Sequence, residues 1–172
     1  MIEIIKADAE HSQLIAELAQ QTFFESHGHS ASKDDINNFI LKTYNAEAIR
    51  KEFENKQVAY HLIYDNEILA GFSKIELQCP NINISEKNIT KLDRIYLLEA
   101  FQGKQLGVKL LDFNIALSKK QHQNGIWLVV WTENNKAVNF YKKMGFKIAG
   151  AYDFQISETH TNPNHVMYLE YN

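Results

Sequence analysis

From Leu92 to Gly107 the chain reads LDRIYLLEAFQGKQLG, the pattern of a strand that runs through a tight turn into a helix. That helix, expected near Gln105–Gln121, is followed by Gly125 and an apolar run, IWLVVW, that reads as a buried strand. A strand, a helix and a second strand in succession form a β-α-β crossover, and a crossover makes its two strands a parallel pair. The chain is thereby committed to a layered sheet covered by helices on both faces. The same crossover leaves a row of backbone N–H groups at the start of its helix, which suits a phosphate-bearing ligand.

The remaining segments complete the pattern. Residues 2–6 (IEIIK) read as a short strand, and Asp8 can cap a helix carrying Leu14, Ile15, Leu18, Ala19, Thr22 and Phe23 on one face. The stretch FESHGHSASK, residues 24–33, breaks that periodicity and reads as a loop. Helical segments follow near Lys33–Thr43 and Ala46–Asn55. Val58–Tyr64 and Ile68–Leu77 are strand-like and flank a hairpin turn at Asp65-Asn66-Glu67. A polar loop, Pro80–Lys87, precedes the strand near Ile89–Leu98. After IWLVVW comes a helix at Asn134–Met144, with Gly145 where a helix-ending glycine belongs, then strands at Phe146–Phe154 and His165–Tyr171. The expected fold is α/β (α+β), with an antiparallel N-terminal part of the sheet and the parallel pair of the crossover.

Composition limits the function. A length of 172 residues suits one domain, spanning 1–172, with a sizeable core. The net charge of -3 gives no bulk electrostatic argument for nucleic acid. No stretch reaches the ~20 consecutive apolar residues of a membrane span. The N-terminus, MIEIIKADAE, has neither the basic start nor the apolar run of a signal peptide, so a cytoplasmic location is expected. The single cysteine, Cys79, rules out an internal disulfide and reads as a loop or strand-end residue before Pro80. His27-Gly28-His29 lacks a matching Cys or acid cluster, so no metal site is expected.

Amides from Gln102 to Val108 can point at a pyrophosphate, with Gly103 and Gly107 allowing close backbone approach and Lys104 adding a charge. The spacing is neither the GxxxxGK[ST] of a P-loop nor the GxGxxG of a dinucleotide site.

Two segments together, Gln102-Gly103-Lys104-Gln105-Leu106-Gly107 and NNKAVNFYKKMGF from Asn134 to Phe146, resemble the paired motifs of the GNAT superfamily of acetyl-CoA-dependent N-acetyltransferases. The first follows the family's [Gln/Arg]-x-x-Gly-x-[Gly/Ala] signature at its first and last positions, whereas Gln105 stands where the family has glycine. The N–H of Gln105 still serves a pyrophosphate if its φ is negative. The second segment matches Asn-x-x-Ala-x-x-Phe-Tyr-x-x-x-Gly-Phe at Asn134, Ala137, Phe140, Tyr141, Gly145 and Phe146.

The resemblance implies a GNAT fold, a mixed central sheet of about seven strands with helices on both faces and a splayed parallel strand pair. It implies acetyl-CoA as co-substrate and no metal. Carried over, the pantetheine arm pairs with the backbone of Ile95, Tyr96 and Leu97, and the Ile95 amide polarises the thioester. Pyrophosphate falls to Gln102, Gly103, Lys104, Gln105, Leu106, Gly107 and Val108. Asn134 lies near the pantetheine amides and can also cap its helix. Tyr141 is the acid for the departing thiolate, and Lys143 can reach the nucleotide phosphates.

An alkyl ammonium, with a pKa near ~10.4, must lose a proton before it attacks. Some family members use a glutamate on the first cofactor strand. The aligned residue here is Lys91, so Asp93, two residues on and on the same strand face, is the nearest substitute, with Glu76 the other candidate.

The features TFFESHGHS, LDRIYL, VWTENNKAVNFYKKMGF and GAYDF with HVMYLEY are similar to the bacterial spermidine/spermine N-acetyltransferase branch. That similarity implies a primary-amine acceptor, a polyamine, and allows a homodimer. A polyamine pocket draws on carboxylates and aromatic faces. Glu25, Asp34, Asp35, Glu76, Asp93, Glu133 and Asp153 are candidates for the first, and Phe24, Tyr96, Trp131 and Tyr152 for the second. The rival readings are a protein or peptide N-acetyltransferase and a regulatory module that binds acetyl-CoA without turnover.

Overall fold

The computed structural model of the chain describes residues 1–172. Strand β1 (Ile2–Lys6) is followed by a 3-10 turn, Ala9–His11, which Asp8 caps by accepting the Glu10 N–H at 2.9 Å. Helices α1 (Ser12–His27), α2 (Lys33–Thr43) and α3 (Ala46–Glu52) come next. Strands β2 (Val58–Asp65), β3 (Ile68–Glu76) and β4 (Thr90–Leu97) lead to helix α4 (Leu106–Lys120). Strand β5 (Gly125–Trp131), helix α5 (Asn135–Lys143) and strands β6 (Lys147–Gln155) and β7 (Thr161–Glu170) close the chain.

The strands form one seven-stranded sheet in the order β1-β2-β3-β4-β5-β7-β6. β1–β2, β5–β7 and β6–β7 pair antiparallel, and β4–β5 pair parallel, as the crossover requires. The β2–β3 hairpin turns on Asn66 (φ 50°) and Glu67 (φ 66°), two left-handed residues, which matches the twist of the flanking strands. No helix is long and apolar enough to cross a membrane.

The chain divides into two compact units, each with its own core. The first comprises Met1–Ile75 and Arg94–Asn114 and buries Ile15, Phe23, Ile36, Ile49, Leu62 and Phe72. The second comprises Glu76–Asp93 and Ile115–Asn172 and packs Ile84, Ile89, Trp127 and Val166 together.

Three boundaries differ from the sequence reading. Helix α1 continues through residues 24–27, which that reading made a loop. Ser26 returns its hydroxyl to the Thr22 carbonyl at 2.8 Å, and His27 stacks on Phe23 one turn back, so local bonds carry a polar stretch as helix. Helix α3 ends at Glu52, and Phe53–Asn55 finish in 3-10-type bonds to Arg50, Lys51 and Glu52. Strand β7 starts at Thr161, well before His165, because the pairs Gln155–Thr161, Phe154–Asn162 and Asp153–Pro163 extend the β6–β7 hairpin. The Thr-Asn-Pro-Asn run there hides a strand whose backbone is nevertheless paired.

Candidate active site

The parallel pairing of β4 with β5 is short. It holds Thr90 against Ile126 and Lys91 against Trp127, while β5 pairs with β7 along all of Gly125–Trp131. Ile95, Tyr96 and Leu97 therefore lie beyond the last residue at which β4 is paired to β5. Their side chains are not idle. Ile95 and Leu97 pack with Phe101 against Ile63, Ala70, Leu106 and Leu110, which leaves the backbone as the part of this segment that a ligand can use. On the other edge β3 approaches so closely that a Cβ on Gly71 would lie 2.3 Å from the Tyr96 carbonyl oxygen. Any larger residue at Gly71 would push β4 out of place.

A short 3-10 turn, Glu99–Phe101, joins β4 to the glycine-containing turn. Gln102 donates its N–H to the Glu99 carbonyl at 3.1 Å and its side-chain amide to the Leu97 carbonyl at 3.3 Å. Its amide is thus spent internally and drops out of the expected row of ligand-facing amides. Gly103 (φ +78°) is left-handed and open, with nothing within 4 Å of an added Cβ. Lys104 lies over the Phe101 ring, its Nζ 4.9 Å from the centroid. Gln105 also adopts a left-handed backbone, φ 60°, so the condition of a negative φ is not met. The departure from glycine costs strain of about 1 kcal/mol at this position. Helix α4 follows, and Leu106, Gly107 and Val108 supply the first-turn amides that have no carbonyl four residues back within the helix.

In the second unit, Asn134 caps α5 by accepting the Ala137 N–H at 3.1 Å. Tyr141 is 8% exposed and set edge-on between Phe140 and Phe146, at centroid distances of 5.2 and 5.6 Å. Burial raises its phenol pKa well above the ordinary value, so the hydroxyl stays protonated. Gly145, with φ +93°, ends the helix. Lys142 and Lys143 are both exposed on α5.

The two candidate carboxylates share a neighbour. Lys91 Nζ lies 2.8 Å from Asp93 Oδ1 and 5.4 Å from the Trp127 ring. Burial works to lower the Lys91 pKa, but the charge and hydrogen bond of Asp93, helped by Cys79 and Glu76, raise it overall. Lys91 is thus a fixed cation beside both acids, and Asp93 must loosen its Lys91 contact to accept a proton.

The first unit holds a charged network that nothing in the sequence announced. Arg94 grips Glu52 with two bonds of 3.0 Å, and Lys74, only 7% exposed, reaches the same carboxylate at 2.8 Å. Tyr60 donates to Glu52 at 2.6 Å, Arg94 donates to the Tyr60 hydroxyl, and the guanidinium lies 5.0 Å over Tyr44. Burial alone would raise the Glu52 pKa; Arg94 and Lys74 outweigh it and lower it. The network anchors the residue next to Ile95.

Of the candidate acceptor residues, Glu25 already accepts from Gln21 Nε2 and the Glu99 N–H, both at 3.0 Å. Asp35 lies in the first turn of α2 behind Ser32, which accepts its N–H at 3.1 Å. Asp34, Glu133 and Asp153 are exposed, as are Phe24 and Tyr152, whereas Trp131 is buried. Tyr96 meets the Phe72 ring at 6.0 Å and the His27 ring edge-on at 6.2 Å. Burial, with the nearby His29, lowers the His27 pKa to about 4, so its imidazole is neutral at neutral pH. No three His, Cys, Asp or Glu residues are grouped so as to hold a metal ion.

Comparison with known proteins bears on the family and the fold. Residues 27–155 match the family model of the acetyltransferase (GNAT) domain. An "Uncharacterized N-acetyltransferase in pepI 3'region" of Lactobacillus delbrueckii subsp. lactis is 27% identical over 145 residues, covering 84% of this chain and 83% of that protein. A spermidine N(1)-acetyltransferase of Thermoplasma acidophilum is 24% identical over 151 residues, 86% and 89% of the two chains. The crystal structure of PaiA N-acetyltransferase from Thermoplasma acidophilum, in complex with coenzyme A, superposes with a TM-score of 0.78 at 23% identity over 99% of each chain.

Proposed function

The chain belongs to the GNAT family of acetyltransferases, and from that premise we propose that this acetyl-CoA-dependent N-acetyltransferase acts on a primary amine of a polyamine. The observation that carries the site assignment is the early end of the β4–β5 ladder at Lys91. It puts the backbone of Ile95–Leu97 past the pairing and directly before a turn that opens into the amides of α4. In this reading the pantetheine arm pairs with Ile95, Tyr96 and Leu97. The pyrophosphate takes the amides of Gly103, Lys104, Leu106, Gly107 and Val108, with the Lys104 charge in support. Lys143 is the proposed contact of the nucleotide phosphates, and Asn134, the cap of α5, that of the pantetheine amides.

The transfer is direct. The acceptor nitrogen attacks the thioester carbon while the Ile95 N–H stabilises the oxygen that gains charge. The tetrahedral adduct collapses as the C–S bond breaks, and Tyr141 gives its proton to the sulfur. Burial keeps that phenol protonated at working pH and makes it a hydrogen-bond donor to the sulfur before the proton moves. Two protons leave the nitrogen: the ammonium proton passes through water to Asp93 or Glu76, the two carboxylates that flank Lys91, and the adduct's extra proton goes to solvent as the amide forms. Tyr141 regains its proton from solvent once coenzyme A departs.

Polyamine as acceptor is supported by the spermidine N(1)-acetyltransferase of Thermoplasma acidophilum, similar over most of both chains. A single transferase domain over 1–172, a cytoplasmic location and a homodimeric assembly belong to the same reading; limited proteolysis, cell fractionation and light scattering test them. The deciding experiment is mass spectrometry of products after incubation with acetyl-CoA and spermidine, spermine, lysine, an aminoglycoside or a short peptide. Acetylated polyamine alone is the expected result. Acetylated peptide alone would move the assignment to protein acetylation, and no acetylated product at all would favour a non-catalytic acetyl-CoA-binding module.

A further inference from the structure

The last turn of α1 is tied to the segment that joins the cofactor strand to the pyrophosphate turn. Glu25 Oε2 accepts the Glu99 N–H at 3.0 Å, a contact between residues 74 apart in sequence. Its other oxygen accepts from Gln21 Nε2 at 3.0 Å, which fixes the carboxylate along the helix. Two residues on, His27 stacks on Phe23 at 4.6 Å and meets Tyr96 edge-on. Ser26, between them, gives its one hydroxyl proton to the Thr22 carbonyl, so its oxygen accepts from His27 Nδ1 at 2.8 Å and holds the ring's orientation. One helical turn thus touches both ends of Tyr96–Glu99.

The β3 side of that segment is fixed as well, by Gly71 under Tyr96 and by the Leu98 N–H on the Ala70 carbonyl at 2.9 Å. Beyond it residues 102–105 are exposed, and a Cβ added at Gly103 would meet nothing within 4 Å. Glu99 is the joint. Its N–H is held by Glu25, and its carbonyl holds the Gln102 N–H at 3.1 Å, at the threshold of the turn.

We infer that Glu25 is a positioning residue for coenzyme binding: through the Glu99 amide it holds the turn whose amides take the pyrophosphate. The inference rests on the proposed pyrophosphate role of residues 103, 104 and 106–108. It takes Glu25 out of the set of acceptor-binding carboxylates and couples α1 to occupancy of the coenzyme site.

The test compares coenzyme A with S-acetylpantetheine, which lacks the pyrophosphate and nucleotide. Wild type, Glu25→Ala and Glu25→Gln are titrated calorimetrically with coenzyme A and assayed kinetically with S-acetylpantetheine. For Glu25→Ala the Kd for coenzyme A should rise between about threefold and tenfold, the scale of one lost hydrogen bond to a mobile turn. The KM for S-acetylpantetheine should not change, and Glu25→Gln, which keeps an acceptor oxygen, should restore coenzyme affinity. Equal or tighter coenzyme binding in Glu25→Ala overturns the inference. So does an equal loss for both ligands with a lowered melting temperature, since that is general destabilisation. Failure of the wild type itself to bind coenzyme A overturns the underlying site assignment and this inference with it.

Discussion

Two charged clusters sit on consecutive residues of β4 and are built to opposite ends. Arg94 belongs to a half-buried set in which Glu52 meets two cations and a tyrosine hydroxyl at 2.6–3.0 Å. Asp93, pointing to the other face of the strand, pairs with Lys91 at 2.8 Å, and the Lys91 and Asp93 side chains keep 26% and 18% of their exposure. The first is saturated, so a proton or a substrate charge entering it must break bonds that hold the fold. In the second, Asp93 is a proposed proton acceptor, and the Lys91 salt bridge is the contact it must loosen to take a proton. On the proposed mechanism, one strand thus carries a scaffold on one face and proton chemistry on the other.

Removing the centre of each cluster separates these roles. Glu52→Ala strands Arg94 and Lys74 in a buried setting and should cost about 3 kcal/mol of stability, read from denaturant unfolding. A loss below ~1 kcal/mol would make the network ornamental. Asp93→Asn should leave stability nearly intact but lower turnover by about 100-fold if Asp93 is the proton acceptor. Unchanged turnover in Asp93→Asn, with a loss of that size in Glu76→Gln, would pass the role to Glu76.

A pH titration separates the clusters from the buried histidines. His61 is 3% exposed, its Nδ1 has no hydrogen-bond partner, and it lies 4.8 Å from the Phe113 ring. Burial, with the charge of Lys6, lowers its pKa from 6.5 to about 4. The folded state therefore resists a proton that the unfolded chain accepts. Stability is full above pH 6.5 and declines as pH falls towards 4, by about 3 kcal/mol for His61 alone. Urea midpoints of wild type and His61→Phe between pH 7 and 4 should diverge by that amount, and parallel curves would show that His61 is not the proton sink.

The smallest expected effect falls on the turn. Gln105 holds a left-handed backbone where the family has glycine, so Gln105→Gly should stabilise the protein or tighten coenzyme A by about 1 kcal/mol. A loss in both would show that the Gln105 side chain has a role of its own.

What was legible in the sequence was whatever depends on local spacing. The crossover, the glycine turn, the Asn134 cap, the helix bearing Tyr141 and the glycine that ends it are each fixed by residues within a turn or two of one another. The Glu25–Glu99 and Glu52–Arg94 contacts join residues 74 and 42 apart, and no short pattern encodes such a pairing. The left-handed backbone at Gln105 was hidden for another reason. Glutamine gives no conformational signal there, and the turn imposes on it the geometry that glycine would adopt freely. Likewise the α1 extension through Ser26 and His27 relies on side-chain bonds that a polar composition conceals.

The most direct test of the account is thiol release from acetyl-CoA with spermidine, measured for wild type and Tyr141→Phe alongside their coenzyme A dissociation constants. Turnover in the wild type, lowered about 100-fold in Tyr141→Phe with coenzyme affinity within twofold, is the predicted result. Equal turnover in the two proteins would contradict the acid role of Tyr141, and thiol release from neither would contradict polyamine acetylation itself.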